Sequence, residues 1–351
     1  MSAFTIDSHG IGDGARTFVI AEAGVNHNGD LGLALDLVAA AGETGADAVK
    51  FQTFDPELLA APSAPKAEYQ AQVTDKSESQ LDMLRRLTLD RAAFEAIATR
   101  CAEMGILFLS TPFDADSADL LDGLNMCAFK TPSGELTNLP LLAHIAAKGK
   151  PMIVSTGMAV MDEIAAALAV IDANGAPARA LLHCVSAYPA APGDINLKAM
   201  QTMRDAFGVP VGFSDHSPGI EIPVAAAALG ADVIEKHLTL DRNLPGPDHK
   251  ASIEPAAFSQ MVRDIRTVEA ALGDGVKAPR PAELEIAAVA RRSIVALTDI
   301  PAGATLDAGM IGLRRPGTGL EPARLDLVIG ARVRHAIPAG TPISDEMIDC
   351  G

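Results

Sequence analysis

The sequence predicts an α/β chain in which a (β/α)8 TIM barrel is followed by a small β-rich domain. Three observations predict it. Eight short apolar runs alternate with amphipathic stretches over roughly 270 residues. Polar side chains gather at the C-terminal ends of those runs, and past a Gly- and Pro-rich break an internal echo replaces the alternation.

The runs are TFVIAE (17–22), ADAVKF (46–51), GILFLS (105–110), CAFKT (127–131), PMIVS (151–155), ALLHC (180–184), VPVGFS (209–214) and DVIEKH (232–237). Each has strand length. Between them lie Ala- and Leu-rich stretches such as LGLALDLVAAAGETG and MDEIAAALAVIDANG, and PAAFSQMVRDIRTVEAALG supplies an eighth helix after the eighth strand. One crossover per strand, with a count that closes at eight, suits a barrel better than a doubly wound sheet. Glu22, Lys50, Ser110, Lys130, Ser155, His183, Ser214 and His237 fall at or near C-terminal strand ends, the edge where barrels assemble active sites. A doubly wound fold would concentrate them at one switch point.

The segment from Asp55 to Gln80 is too long and polar for an ordinary βα connection, and its Pro and Ser content argues against continuous structure. It reads as a lid or substrate-side loop. GDGVKAPRPAELE (273–285) marks the end of the barrel, placing the catalytic domain at 1–275, a linker at 276–290 and the C-terminal domain at 291–351. In that last part IPAGATLDAGMI (300–311) is echoed by IPAGTPISDEMI (337–348), an offset of 37, and the Pro-Ala-Gly triplets suit tight turns between short strands.

Composition sets the limits. An apolar content of 48% can fill a large core, while 28 basic against 45 acidic side chains give a net charge of −17. That balance argues against nucleic-acid binding but leaves room for a local cationic pocket around an anionic metabolite. Cys101, Cys127, Cys184 and Cys350 lack the pairing of zinc sites or disulfide frameworks, so reduced thiols and a cytoplasmic enzyme are expected. The N-terminus has no signal-peptide pattern, and runs such as IPVAAAALGA are too short to span a membrane.

His216, in GFSDHSPG, and His237 sit at the ends of neighbouring strands, which is how a barrel builds a two-histidine metal site. With Glu22 or Asp248 adding oxygen, Mn²⁺ or Mg²⁺ fits such mixed coordination. Asp215 can orient His216 or cap the following helix. Lys50, Lys130 and Lys236, with Thr111, Ser133, Ser155 and Ser214, suggest a carboxylate and phosphate pocket. Each lysine can equally snorkel from an apolar wall, or form a Schiff base as in a class-I aldolase. Glu135, in KTPSGELTN, is a candidate acid or base, and Asn26, His27 and Asn28 either bind hydroxyls or stabilise their turn.

At AEAGVNHNGD, GADAVKFQTF, APKAEYQ, FLSTPFD, KTPSGELTNLP, STGMAVMDEI, LLHCVSAYPA, SDHSPG, IEKHLTLDRNLPGPDHKAS and RRPGTG, in that order, the chain closely resembles the sialic acid synthase family. The resemblance implies a TIM barrel with an antifreeze-like (SAF) domain. It implies condensation of phosphoenolpyruvate with an N-acylated amino sugar, first N-acetylmannosamine to give N-acetylneuraminate, with diacetyllegionaminate synthesis from a 6-deoxy diacetamido sugar as the alternative. Carried onto this chain it places a divalent metal on His216 and His237, and phosphoenolpyruvate on Lys50, Thr111, Lys130, Ser133, Ser155, Ser214 and Ser186, the last in place of an asparagine. Glu135, Glu22 and Asp248 become the catalytic carboxylates, and Gln52, Tyr188 and Arg315 face the sugar. Arg315 would reach it from the partner subunit of a homodimer with domain-swapped C-terminal caps, Arg314 being a supporting neighbour.

Overall fold

The computed structural model describes residues 3–75 and 78–349 and divides after Gly273 into two units. In the first, a hairpin of β1 (Phe4–Ile6) and β2 (His9–Ile11) precedes eight parallel strands. These are β3 (Phe18–Gly24), β4 (Ala48–Thr53), β5 (Leu107–Pro112), β6 (Phe129–Thr131), β7 (Met152–Ser155), β8 (Arg179–Cys184), β9 (Val211–Asp215) and β10 (Val233–His237). Each overlaps one of the eight apolar runs. The ladder order is β5–β4–β3–β10–β9–β8–β7–β6, and the outer strands β5 and β6 lie against each other, so the sheet curls into a nearly closed barrel. Its strands are buried on both faces, as crossover helices require. Helices begin where a side chain satisfies an orphan amide: Asp30, Asp90, Asp114 and Asn138 accept from the third residue onward, and Gly45 and Gly105 end two of these helices in the left-handed conformation.

Strand alternation sorts the strand-end polar residues, and three of them turn away from the barrel interior. Lys236 sits between inward-facing Glu235 and His237, so it points outward, where its Nζ lies 2.5 Å from Asp215 Oδ2 and 2.5 Å from the Ser217 carbonyl. Lys236 is therefore not part of an anion pocket. Asp215 holds that ammonium and the Ser217 amide rather than orienting His216. Ser110 Oγ bonds Thr53 Oγ1 (2.7 Å), and His183 Nε2 donates to the Ile195 carbonyl (2.6 Å).

The long segment after β4 is more ordered than its composition predicts. It carries helices at Pro56–Leu59, Glu68–Val73 and Gln80–Leu87, because Asp55 and Ser79 cap the first and third while Gln70 accepts from the Ala67 amide. Lys66 ties it down by bonding Thr74 and the Asp75 carbonyl and pairing with Glu78, which also holds Arg86.

In the second unit, a helix at Pro281–Ala290 occupies most of the expected linker. Pro281 starts it and Glu283 returns to accept from the Arg280 amide (2.8 Å), signals that outweigh the Gly and Pro density just before them. Short strands follow: β11 (Ser293–Ala296) pairs with β12 (Ile311–Arg314), and β13 (Arg332–Val333) with β14 (Ile348–Asp349). The echo in the sequence becomes an exchange of hydrogen bonds. Ile300 and Ile337 donate to each other's carbonyls at 2.8 Å, Gly303 donates to Val333, and the matching Gly340 donates to Ala296. Both glycines have positive φ, which the turn demands and a side chain would resist.

Cys101, Cys127 and Cys184 are free thiols, and Cys350 lies outside the described residues. No described helix is long and apolar enough to cross a membrane. The buried Asp215–Lys236 pair is the barrel's clearest electrostatic liability. Lys236→Met should strand the Asp215 carboxylate and lower the unfolding free energy by about 3–5 kcal/mol. Chemical denaturation checks this, and a loss under about 1 kcal/mol would show the carboxylate finding water instead.

Candidate active site

A cavity of about 440 Å³ opens at the C-terminal edge of the barrel, and four ionisable side chains meet at its floor. Lys50 Nζ lies 2.6 Å from Glu22 Oε2, 2.9 Å from Thr111 Oγ1 and 3.7 Å from Glu235 Oε1. Lys130 Nζ lies 3.6 Å from the same Glu235 oxygen, which also accepts from Ser214 Oγ at 3.2 Å. All four charged groups are nearly inaccessible, so two ammonium ions and two carboxylates must satisfy each other. Burial pushes Glu22 up to about 7 against the pull of Lys50, which places its proton exchange near neutrality. Burial pulls Lys50 down, but Glu22 and Glu235 outweigh it and hold the ammonium above its ordinary value. Burial works upward on Glu235, yet Lys130 and Lys50 hold it below the usual range. Burial leaves Lys130 lowered, with Glu235 opposing.

Beside these lysines three side chains approach a backbone so closely that only glycine fits there. A Cβ at Gly157 would fall 2.5 Å from Ser186 Oγ, 2.7 Å from Cys184 Sγ and 2.7 Å from Ser133 Oγ. The Gly157 amide donates to Ser133 Oγ at 2.9 Å, and that hydroxyl meets Cys184 Sγ at 3.0 Å. Ser155 Oγ is buried without a protein partner and lines the same cavity. Hydroxyls and two ammonium groups around a backbone that can approach closely form a receptor for a tetrahedral or planar anion.

The histidines stand along the wall formed by β9 and β10, their rings 5.4 Å apart, with Tyr188 4.1 Å from His216 and 5.9 Å from His237. His216 Nδ1 donates to the Val185 carbonyl (2.8 Å), which leaves the Nε2 lone pair for a ligand. His237 Nδ1 is buried with no hydrogen-bond partner. Burial holds both below the ordinary histidine range, and for His237 the neighbouring His216 and lysines add to it, so both imidazoles are neutral. Two neutral rings with an orphaned nitrogen fit a divalent cation. Among the described residues no three His, Cys, Asp or Glu groups converge as a cage, so such an ion would complete its shell with water or substrate oxygens, as Mg²⁺ and Mn²⁺ do. Asp248, Glu22 and Gln52 converge at Gly24, where a Cβ would sit 3.2 Å from Glu22 Oε1, 3.4 Å from Gln52 Nε2 and 3.7 Å from Asp248 Oδ2. Burial raises Asp248 to about 6.

The Asp248 loop is held from behind. His249, fully buried, uses Nδ1 with Thr239 Oγ1 (2.7 Å) and donates from Nε2 to Asn28 Oδ1 (3.3 Å), while Asn26 donates to the Leu238 carbonyl and Ser252. Asn26, His27 and Asn28 thus stabilise their turn and the neighbouring loop.

Of the residues the sequence singles out, Glu22, Lys50, Gln52, Thr111, Lys130, Ser133, Ser155, Ser186, Tyr188, Ser214, His216, His237 and Asp248 line one cavity. Glu135 does not join them. It sits half-buried in the turn after β6 with its carboxylate bound to Asn138 Nδ2 at 2.7 Å. Arg315 belongs to the second unit, exposed, its Nε donating to the Ala290 carbonyl. Glu235, Gly157 and Cys184 are site residues to which the sequence assigns no role. Glu235 was open to inference, since it lies two residues before His237 on one strand and so shares its face.

The NeuB family model matches residues 37–277, and the SAF domain model matches 291–349. The chain is 45% identical to the N,N'-diacetyllegionaminic acid synthase of Legionella pneumophila, over 96% of each chain. It is 47% identical to the enzyme of the same name from Campylobacter jejuni, over 90% of this chain and 95% of that one. Among solved structures it is similar to the N-acetylneuraminic acid synthetase of Leptospira borgpetersenii in complex with citrate. There the TM-score is 0.73 and the identity 34%, over 81% of this chain and 95% of the other.

Proposed function

The chain belongs to the NeuB family, and from that premise we propose that it condenses phosphoenolpyruvate with an N-acylated amino-sugar aldehyde to give a nine-carbon 2-keto acid and phosphate. The observation that carries this is the convergence of Lys50, Lys130 and the Ser133 and Ser186 hydroxyls packed at Gly157 beside two neutral histidines. One region suits a compact polyanion and the other a polarised oxygen. For the acceptor, the two legionaminic acid synthases at 45% and 47% identity favour a 6-deoxy diacetamido sugar, and N,N'-diacetyllegionaminate as product, over N-acetylmannosamine. This reverses the order of acceptors that the sequence motifs imply.

In the reaction, C3 of the enol attacks the aldehyde carbon C1, water adds to C2, and phosphate leaves by C–O cleavage. Lys50, Lys130 and the surrounding hydroxyls hold the phosphate and carboxylate and balance their charge throughout. Glu22, with its pKa near 7, suits proton exchange with the water that adds to C2. Asp248, raised to about 6 beside Gln52, suits proton delivery or hydrogen bonding on the acceptor side. His216 and His237 would hold Mn²⁺ or Mg²⁺, which when bound polarises and orients the aldehyde oxygen. Lys50, kept protonated by Glu22, is poorly placed for Schiff-base chemistry.

We propose also that the working form is a homodimer in which the SAF unit of one chain caps the barrel of the other and Arg315 reaches the acceptor. Exposure of Arg315 and the RRPGTG motif support this reading.

Purified protein supplied with phosphoenolpyruvate and either sugar should release phosphate faster with the deoxy diacetamido sugar, and mass spectrometry should find the matching nonulosonate. The reaction should stop with chelator and resume with Mn²⁺ or Mg²⁺. Full turnover without metal, or a borohydride-trapped adduct on lysine, would reject the mechanism.

For the shared site, an inactive Arg315→Ala chain mixed with an inactive Lys130→Ala chain should regain activity in heterodimers, since one composite site then holds both residues. Heterodimers that form and stay inactive would place the site within one chain.

A further inference from the structure

The aliphatic lining of the cavity is concentrated on one side. The ammonium, hydroxyl and thiol groups of Lys130, Ser133, Ser155, Cys184, Ser186 and Ser214 come from the ends of β6 to β9. Across the barrel, β3 to β5 end in Glu22, Lys50, Gln52 and Thr111, and the chain beyond those ends adds the apolar lining of Val25, Leu59, Met83, Leu84, Leu87 and Phe113. In the ladder order these strands form the other arc of the sheet, so the apolar lining faces the serines of β6 to β9 across the cavity. Four of the six are contributed by the segment that follows β4. They form a small apolar cluster of their own, separate from the barrel core, with Val25, Met83 and Leu87 buried and Leu59, Leu84 and Phe113 only partly covered. The cluster therefore offers apolar surface to the cavity beyond what the barrel core needs. Gln70 and Gln80 line the cavity from the same segment and supply amide groups beside the apolar side chains.

We propose that this wall is the subsite for the half of the acceptor sugar remote from its aldehyde, and that Leu59 and Leu84 select an acceptor whose remote positions carry methyl-bearing groups in place of hydroxyls. Resting on the condensation reading above, the placement follows from the cavity's polarity. The phosphoenolpyruvate anion belongs with the lysines at the strand ends, the aldehyde must meet it near the histidines, and the rest of the sugar extends toward the segment that follows β4. There a deoxy methyl or the methyl of an acylamino group meets leucine, and an acylamino carbonyl or N–H meets a glutamine amide. A hydroxyl at the same place loses water and meets no matching group on the leucines. An apolar pocket discriminates against an added hydroxyl by about 10²-fold, and against a missing methyl by about 10- to 200-fold.

The test compares kcat/KM for the 6-deoxy diacetamido sugar with that for N-acetylmannosamine in wild type, Leu84→Asn, Leu59→Asn and the conservative Leu84→Met. Wild type should prefer the deoxy sugar by about 10- to 100-fold. Each asparagine variant should cut that ratio by about tenfold, mainly through the deoxy sugar, with the KM for phosphoenolpyruvate within about twofold of wild type. Leu84→Met should keep the preference. A ratio unchanged in both asparagine variants, in proteins with wild-type phosphoenolpyruvate KM, overturns the subsite while leaving the condensation intact. Wild type that prefers N-acetylmannosamine overturns the acceptor reading itself, before any variant is made, and the subsite with it. The two failures are thus told apart by which protein shows them.

Discussion

Everything in the barrel's upper half depends on the buried contact between Lys50 and Glu22 and its extension through Glu235 to Lys130. At 3.6 Å and an effective dielectric of about 20, one pair of unit charges interacts by on the order of 4 kcal/mol, which offsets much of the cost of burying these four side chains. The quartet carries no net charge with every group ionised, so the cavity is stable without a ligand. Once an anion binds the lysines, Glu22 loses its share of Lys50 and finds itself near added negative charge. Its proton affinity must rise, so a carboxylate already poised near 7 takes up a proton as the anion arrives.

The scaffold turns this contact into a directional site through strand alternation. In β10, Glu235 and His237 face the cavity while Lys236 faces the helices, so one five-residue strand serves the electrostatic floor, the histidine wall and the barrel's outer packing. Lys50 and Gln52 share the inner face of β4 in the same way, and their cross-strand neighbour Thr111 completes the Lys50 shell. Glycine acts where no side chain fits: Gly157 lets Ser133, Cys184 and Ser186 close on its backbone, and Gly24 lets Glu22, Gln52 and Asp248 converge.

The barrel and its catalytic edge were legible in the sequence because both follow from short-range rules, namely strand-length apolar runs and polar residues at their ends. The inward or outward sense of each polar residue was less so. Lys236 reads as a cavity lysine until its neighbours Glu235 and His237 are given the same face, which sends it outward. The segment at 55–80 reads as loop because capping by Asp55 and Ser79 is local and weak against its Pro and Ser content, and the cluster joining Val25 to Met83 and Leu87 is long-range. The close packing at Gly157 was hidden altogether, since it exists only where the loops after β6, β7 and β8 meet.

Lysines for the anion, neutral histidines for an oxygen-bound cation and a leucine wall for the distant half of a sugar describe one elongated ligand pair, with Glu22 at the junction. The measurement closest to that account is calorimetric titration of phosphoenolpyruvate at pH 7.5 in buffers of different ionisation enthalpy, on wild type and Glu22→Gln. The account predicts that wild type takes up more protons per bound phosphoenolpyruvate than the variant, because binding raises the affinity of Glu22 for its proton. Equal proton counts in the two proteins would contradict it.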